Sequence, residues 1–359
     1  VDTQRLETLL AAMTRVGASA LHLVPGRSPA LRVQRRFVAG DETLVQPTDI
    51  EELLRDLLFA DHREQLEQSG HVEVLYVARS GRRYRATVAD IGGTGSLVLR
   101  PLPEGTPKLE NLELPEQVGA FARGRSGFVP VAGFFGSGKS TTLAALVGVL
   151  NQDPTRHIVT IEDTIEFVHE NGAALLHQRE VGTHVATAAA GIQQAVATGV
   201  DAIVVGEIRD AEALDAAITA AESGCLVLGG VEAGSIVGAL TELSLMVVPE
   251  ERPRLRVRLS RALRGAMAQS LLQRSHRVGR VAVVEILVAN PAARTAIRNG
   301  SLKDLQGIMH RCRGLGMQTA DIALRALLAR HLVTQEEALL HATDRDEVLA
   351  RGPKTAAVR

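Results

Sequence analysis

The chain has 359 residues with 45% hydrophobic side chains, enough apolar mass for about two domains. Lys and Arg total 40 against 41 Asp and Glu, a formal net charge of -1, so composition gives no general pull towards nucleic acid or an anionic membrane, and any basic site has to be local. Cys225 and Cys312 are the only cysteines, which excludes a disulfide framework and a four-cysteine zinc site and fits a reducing compartment.

From the start, Leu6, Leu9, Leu10 and Met13 recur at helical spacing and predict an amphipathic helix, without the features of a signal peptide. Leu21–Val24 and Ala30–Val33 read as short strands around Pro25-Gly26, and Ile50–Leu66 as a helix. His71–Val77 and Arg83–Val88 alternate apolar and polar residues, which predicts a hairpin through Ser80-Gly81, and Ser96–Leu99 adds a strand. This first part is small and α+β.

Pro101–Pro115 is proline-rich and aperiodic, the signature of a linker. Beyond it short apolar strands alternate with helices: Phe128–Ala132, a helix after Lys139, Ile158–Ile161, Ala202–Val205, a helix over Asp210–Glu222, and Leu226–Leu228. That order predicts an α/β domain with a mainly parallel sheet. Val281–Leu287 is a late strand, and the segment from about Lys303 to Leu340 is helical. The expected division is 1–102, a linker at 103–112, a larger α/β domain with C-terminal helices at 113–343 and a frayed tail at 344–359. The longest apolar runs, such as Leu143–Leu150, are far short of a membrane span.

Gly133-Phe134-Phe135-Gly136-Ser137-Gly138-Lys139-Ser140 fits GxxxxGK[ST], fed by a predicted buried strand and followed by a predicted helix. The glycines let backbone N–H groups converge on phosphate oxygens at a helix N-terminus. Lys139 is placed for the β- and γ-phosphates of ATP and the Ser140 hydroxyl for Mg2+. Basic positions are almost all arginine; lysine stands only at Lys108, Lys139, Lys303 and Lys354, so its use in the loop marks a site that needs a compact point charge.

A nucleotide site of this kind needs carboxylates for Mg2+ and the attacking water. Two clusters qualify at predicted strand ends: Glu162-Asp163-Thr164-Ile165-Glu166 and Gly206-Glu207-Ile208-Arg209-Asp210. Ligands in open α/β sheets sit at the C-terminal ends of strands, which puts both clusters beside the glycine-rich loop. Either alone could equally be a helix cap or surface charge.

These residues resemble the secretion/traffic ATPase superfamily, and most closely its PilT-like type IV pilus retraction ATPases, over nearly the whole chain. The resemblance rests on Gly17-Ala18-Ser19-x-Leu21-His22-Leu23, on Gly138-Lys139-Ser140-Thr141-Thr142-Leu143-Ala144-Ala145, and on the Asp-box-like run from Ile161 to His169. Gln178-Arg179-Glu180-Val181, the Walker-B-like Val205-Gly206-Glu207-Ile208-Arg209-Asp210 and Gly316-Met317-Gln318-Thr319 extend it. It implies a PAS-like N-terminal domain joined to a RecA-like ATPase domain. It further implies a cytoplasmic motor, peripheral at the inner membrane, that forms a homo-hexamer or a mixed ring with a paralogous motor and works on a pilus inner-membrane platform protein. By motif, Glu166 would position the attacking water and Glu207 would act on the Mg2+ and γ-phosphate side. ATP binding would fall to Gly133, Gly136, Ser137, Gly138, Lys139, Ser140, Thr141 and Arg209, with Arg83, Arg85 and Arg100 from the N-terminal domain.

The departures from the family pattern lie near the nucleotide. The two His-box positions fall on Cys225 and Glu232, Phe134-Phe135 replaces Pro-Thr, Ala20 replaces an Asp, and the segment from Gln193 to Asp201 lacks the usual arginines and Glu-Asp-Pro run. The loop from Asp90 to Gly95 lacks an expected Arg, and Pro291–Arg298 only partly matches the retraction-linked motif. The expectation is complete phosphate binding with weakened coupling to ring motion, either as a motor or as an ATP-binding regulatory paralogue. A type II secretion ATPase is disfavoured by the lack of cysteines for its zinc insert. A DNA translocase is disfavoured by balanced charge and 3% aromatics.

Overall fold

A computed structural model describes residues 3–33, 36–91, 94–276 and 278–350. The chain divides into two compact units with the break between Gly105 and Thr106.

In the first unit, helix α1 (Thr3–Arg15) precedes strands β1 (Ala20–Leu23), β2 (Ala30–Val33) and β3 (Arg36–Ala39). Helices α2 (Pro47–Leu57) and α3 (Ala60–Ser69) follow, then β4 (His71–Val77), β5 (Arg83–Ile91) and β6 (Thr94–Pro101). The strands form one antiparallel sheet in the order β3-β2-β1-β6-β5-β4. Leu6, Leu9, Leu10 and Met13 of α1 are all buried in its core with Leu21, Leu23, Leu97 and Leu99, as their helical and alternating spacings require. The single helix expected over Ile50–Leu66 is two: Leu58 leaves α2 with extended backbone and is 5% exposed, while Phe59 caps the next helix. Burying Leu58 turns the chain, a tertiary effect that local propensity does not carry. Strand β3, with all its side chains exposed, has no alternation to announce it.

The second unit begins with a 3-10 turn at Leu109–Leu112, so the expected linker contains ordered structure. Its elements are α4 (Glu116–Ala122), β7 (Gly127–Ala132), α5 (Lys139–Leu150), β8 (His157–Glu162), β9 (Leu175–Glu180), α6 (Ala188–Ala197), β10 (Ala202–Val205), α7 (Ala211–Glu222) and β11 (Leu226–Val231). Then come α8 (Ile236–Leu245), α9 (Arg252–Ala262), β12 (Gly265–Gln273), β13 (Arg280–Val288), α10 (Pro291–Asn299), α11 (Asp304–Arg311), α12 (Ala320–Ala329), α13 (Gln335–Leu340) and α14 (Arg345–Leu349).

The sheet order is β13-β12-β7-β11-β10-β8-β9, parallel throughout except for the β12–β13 pair. Its central strands are buried on both faces and read as continuous apolar runs, as a helix-covered parallel sheet requires. β7 tolerates Pro130 in a central position because its ladder with β12 is short, pairing only Met267 with Val131 and Ala268 with Ala132.

The C-terminal region bears out one expectation and corrects another. Lys303–Leu340 is helical in separate pieces: Gly316, at φ +79, ends a short 3-10 turn, and Met317 is buried before α12 starts at the Thr319 cap. The expected frayed tail carries α14, with Val348 only 1% exposed, and buried Asp321 accepts from the N–H groups of Thr343 and Asp344. Residues 351–359 of that tail, and Gly92-Gly93 of the divergent loop, lie outside the described residues.

Candidate active site

The glycine-rich loop joins β7 to α5, as its pattern requires. Gly138 takes φ +89 and α5 starts at Lys139, so the first-turn N–H groups of the helix face the loop. The glycines are sterically enforced. A Cβ on Gly133 would lie 2.1 Å from Ser137 Oγ, and one on Gly138 would lie 2.7 Å from Gln269 Nε2. Gly136 takes φ +78 at the loop tip, and its carbonyl accepts from Arg280 at 3.2 Å.

Lys139 Nζ donates to the Gly133 carbonyl, so the ammonium already spans the mouth of the loop. Among the described residues Ser137 Oγ is buried without a hydrogen-bond partner, a group that a phosphate oxygen would satisfy. Ser140 Oγ lies 3.4 Å from Glu166 Oε1, which joins the hydroxyl expected on Mg2+ to the acid expected at the water. This donor set, an ammonium, a hydroxyl and backbone N–H groups beside a carboxylate, fits a magnesium-bound triphosphate. Thr141 is half-buried on the first turn of α5.

The acids come from the ends of neighbouring strands β8, β10 and β11. Glu162 ends β8 and accepts from Thr160 Oγ1 at 2.7 Å and Gln178 Nε2 at 3.3 Å; its burial raises its pKa despite both bonds. β9 holds the loop that carries Glu166. Gln178 Nε2 donates to the Phe167 carbonyl at 2.9 Å, its Oε1 accepts from His169 N at 2.9 Å, and Glu180 Oε2 accepts from Ile165 N at 3.0 Å. The Gln178-Arg179-Glu180 motif therefore positions the loop rather than touching the cradle.

Glu207 follows β10, and Arg209 is bonded to carboxylates: its Nη2 lies 2.8 Å from Asp163 Oδ2 and 3.1 Å from Glu207 Oε2. With Glu232 also contributing, these charges raise the Arg209 pKa although burial opposes it. Glu232 is exposed just past the end of β11 and adds to the acidity around Arg209. Cys225 is buried just before β11, and its Sγ meets the Val200 carbonyl at 3.2 Å.

Phe134 and Phe135 do not pack against the sheet. Phe134 is 60% exposed and its ring lies against Gly234, where an added Cβ would come within 2.8 Å of Cε2; Phe135 is 89% exposed at the loop tip.

Arg83, Arg85 and Arg100 belong to the first unit, and the sheet brings them together. Arg85 stands directly opposite Arg100 across β5–β6, and Arg83 lies two residues along on the same face. Like charges in register are unfavourable unless a counter-charge offsets them. Arg85 also lies 3.9 Å from Glu73, and Arg100 helps to lower the pKa of half-buried His22, after burial itself.

Gln269 is a supporting residue that the sequence motifs do not single out, and it bonds to Thr142 of the quoted loop–helix motif. Gln269 Nε2 donates to the Ser137 carbonyl and its Oε1 accepts from Thr142 Oγ1, each at 2.8 Å, so a side chain of β12 supports the phosphate loop from beneath. The available signal was a glutamine inside the otherwise small and apolar start of β12, Gly265-Ala266-Met267-Ala268.

The model for "Type II/IV secretion system protein" matches residues 96–313. The chain is 31% identical over 342 residues to the type IV pilus ATPase PilU of Pseudomonas aeruginosa, covering 95% of this chain and 90% of that one. It is 33% identical over 330 residues to that organism's type IV pilus retraction ATPase PilT, covering 92% and 96%. A crystal structure of the pilus retraction motor PilT with bound ADP superposes with a TM-score of 0.84 at 32% identity, covering 95% of this chain and 98% of that one. The chain belongs to the type II/IV secretion system protein family and, within it, to the PilT/PilU-like type IV pilus ATPases.

Proposed function

We propose that this ATPase is a ring-forming motor of a type IV pilus, cytoplasmic and peripheral at the inner membrane, that drives retraction against a platform protein. The observation that carries the reading is the meeting of Ser140 and Glu166 at 3.4 Å beside Lys139, which joins the phosphate cradle to a water-positioning acid. In this reading Gly133, Gly136, Ser137, Gly138 and Thr141 shape the loop whose N–H groups hold ATP. Lys139 balances the β- and γ-phosphate charge, and Glu166 orients the attacking water. Mg2+, held by Ser140 and through water by Glu207, would neutralise charge developing on the phosphates. Arg209 keeps Asp163 and Glu207 in place.

No helix among the described residues is long and apolar enough to cross a membrane. A second reading, an ATP-binding partner of an active paralogous motor with weak turnover of its own, is favoured by Cys225 and Glu232 at the His-box positions. Steady-state ATP hydrolysis by the full chain, alone and mixed with a paralogous motor, separates the two. Turnover that Glu207→Gln lowers by about 10²–10³ supports the motor. Nucleotide binding with no turnover that Glu207→Gln lowers supports the partner.

A further inference from the structure

Because the charge of the chain is balanced, a local surplus of arginine is a matter of placement. Such a surplus lies in the second unit where β7 and β12 begin, at the opposite end of those strands from the phosphate loop. A cavity of about 730 Å³ opens there, with Gln117, Ser126, Arg261, Arg264 and Arg294 in its wall.

The three guanidinium groups have different standings. Arg294 is fixed: it donates to the carbonyls of Ala289 at 3.0 Å, Ser260 at 2.6 Å and Arg261 at 2.8 Å, tying α10 to the end of α9. Arg264 lies over Gly124, where a Cβ would come within 2.3 Å of its Nε, so the glycine makes room for the guanidinium. Both Arg261 and Arg264 are exposed. Among the described residues neither has a carboxylate partner, because Glu222, the acid in the cavity wall, is bonded to Arg258 at 2.7 Å.

We propose that this cavity is a second anion site, distinct from the ATP cradle, that takes a small phosphate-bearing ligand with two or more negative charges. Two guanidinium forks without counter-charges beside a third that is held rigid suit phosphate oxygens, which they can meet in bidentate fashion. The volume lies within the range of small-molecule sites. Gln117 and the Ser126 hydroxyl offer neutral hydrogen bonds at the rim. The same chemistry could come from a soluble phosphate compound or from a phospholipid headgroup.

The test uses the full chain carrying Lys139→Ala, which silences the phosphate loop, and inorganic pyrophosphate as the soluble probe in calorimetry at low salt. Saturable binding is expected, weakened about tenfold or more when Arg261 and Arg264 are both changed to Ala. Arg254→Ala, an exposed arginine of α9 outside the cavity wall, should leave it unchanged. In parallel, co-sedimentation is measured with phosphatidylcholine vesicles with and without phosphatidylglycerol. Pyrophosphate binding that needs Arg261 and Arg264 supports the site with a soluble ligand. Sedimentation with the phosphatidylglycerol vesicles that needs the same two arginines supports it with a headgroup. The proposal is overturned if neither probe binds, or if binding survives the double substitution intact.

Discussion

Gln269 reaches from β12 to the phosphate loop, its Nε2 donating to the Ser137 carbonyl at 2.8 Å. The bond joins residues 132 positions apart in the sequence, and Thr142 completes the connection by donating to the Oε1 of the same glutamine. Both bonds are buried, so their loss strands polar groups away from water. Gln269→Leu should cost about 1–3 kcal/mol of stability in denaturant unfolding. It should also weaken ATP binding, because the loop loses its support from below. Unchanged affinity would show that the cradle holds its shape without β12.

Phe134 and Gly234 form a second coupled pair. Gly234→Ala places a methyl group where the Phe134 ring lies, so the ring or the loop has to move. The expected outcome is weaker nucleotide binding in Gly234→Ala and recovery of most of it in the double variant with Phe134→Ala. A coupling energy of about 0.5 kcal/mol or more in the double-mutant cycle checks the contact.

His169 and Glu162 give stability a dependence on pH, with opposite signs. Burial lowers the His169 pKa from 6.5 to about 4. Its neutral form is favoured in the fold, so its contribution is complete above pH 6.5 and is lost as pH falls towards 4. His169→Gln should therefore flatten the loss of stability between pH 6.5 and 4. Burial raises the Glu162 pKa above its ordinary 4.5. Its contribution is complete below that value and is lost as pH rises through the raised one. Glu162→Gln should therefore gain on the parent protein as pH rises above 4.5. Urea midpoints across this range measure both.

Much of this was legible in the sequence for identifiable reasons. The loop from Gly133 to Ser140 is recognisable because each glycine answers a local steric demand. The ATPase sheet announced itself because strands buried on both faces are uninterrupted apolar runs. The break at Leu58 was hidden because it depends on burial against the rest of the unit. Gln269 was hidden because the loop it supports lies far away in the chain. The arrangement around Arg209 was half visible: Glu207 and Arg209 share a motif, but Asp163 joins them only when β8 and β10 lie side by side.

The account depends on ATP being held by the loop between β7 and α5 through the Lys139 ammonium. The most direct measurement is equilibrium binding of ATP with Mg2+ to the full chain and to Lys139→Ala, with circular dichroism to confirm that both are folded. The account predicts binding by the parent chain and its loss in the folded variant. Equal affinity in the two proteins would contradict it.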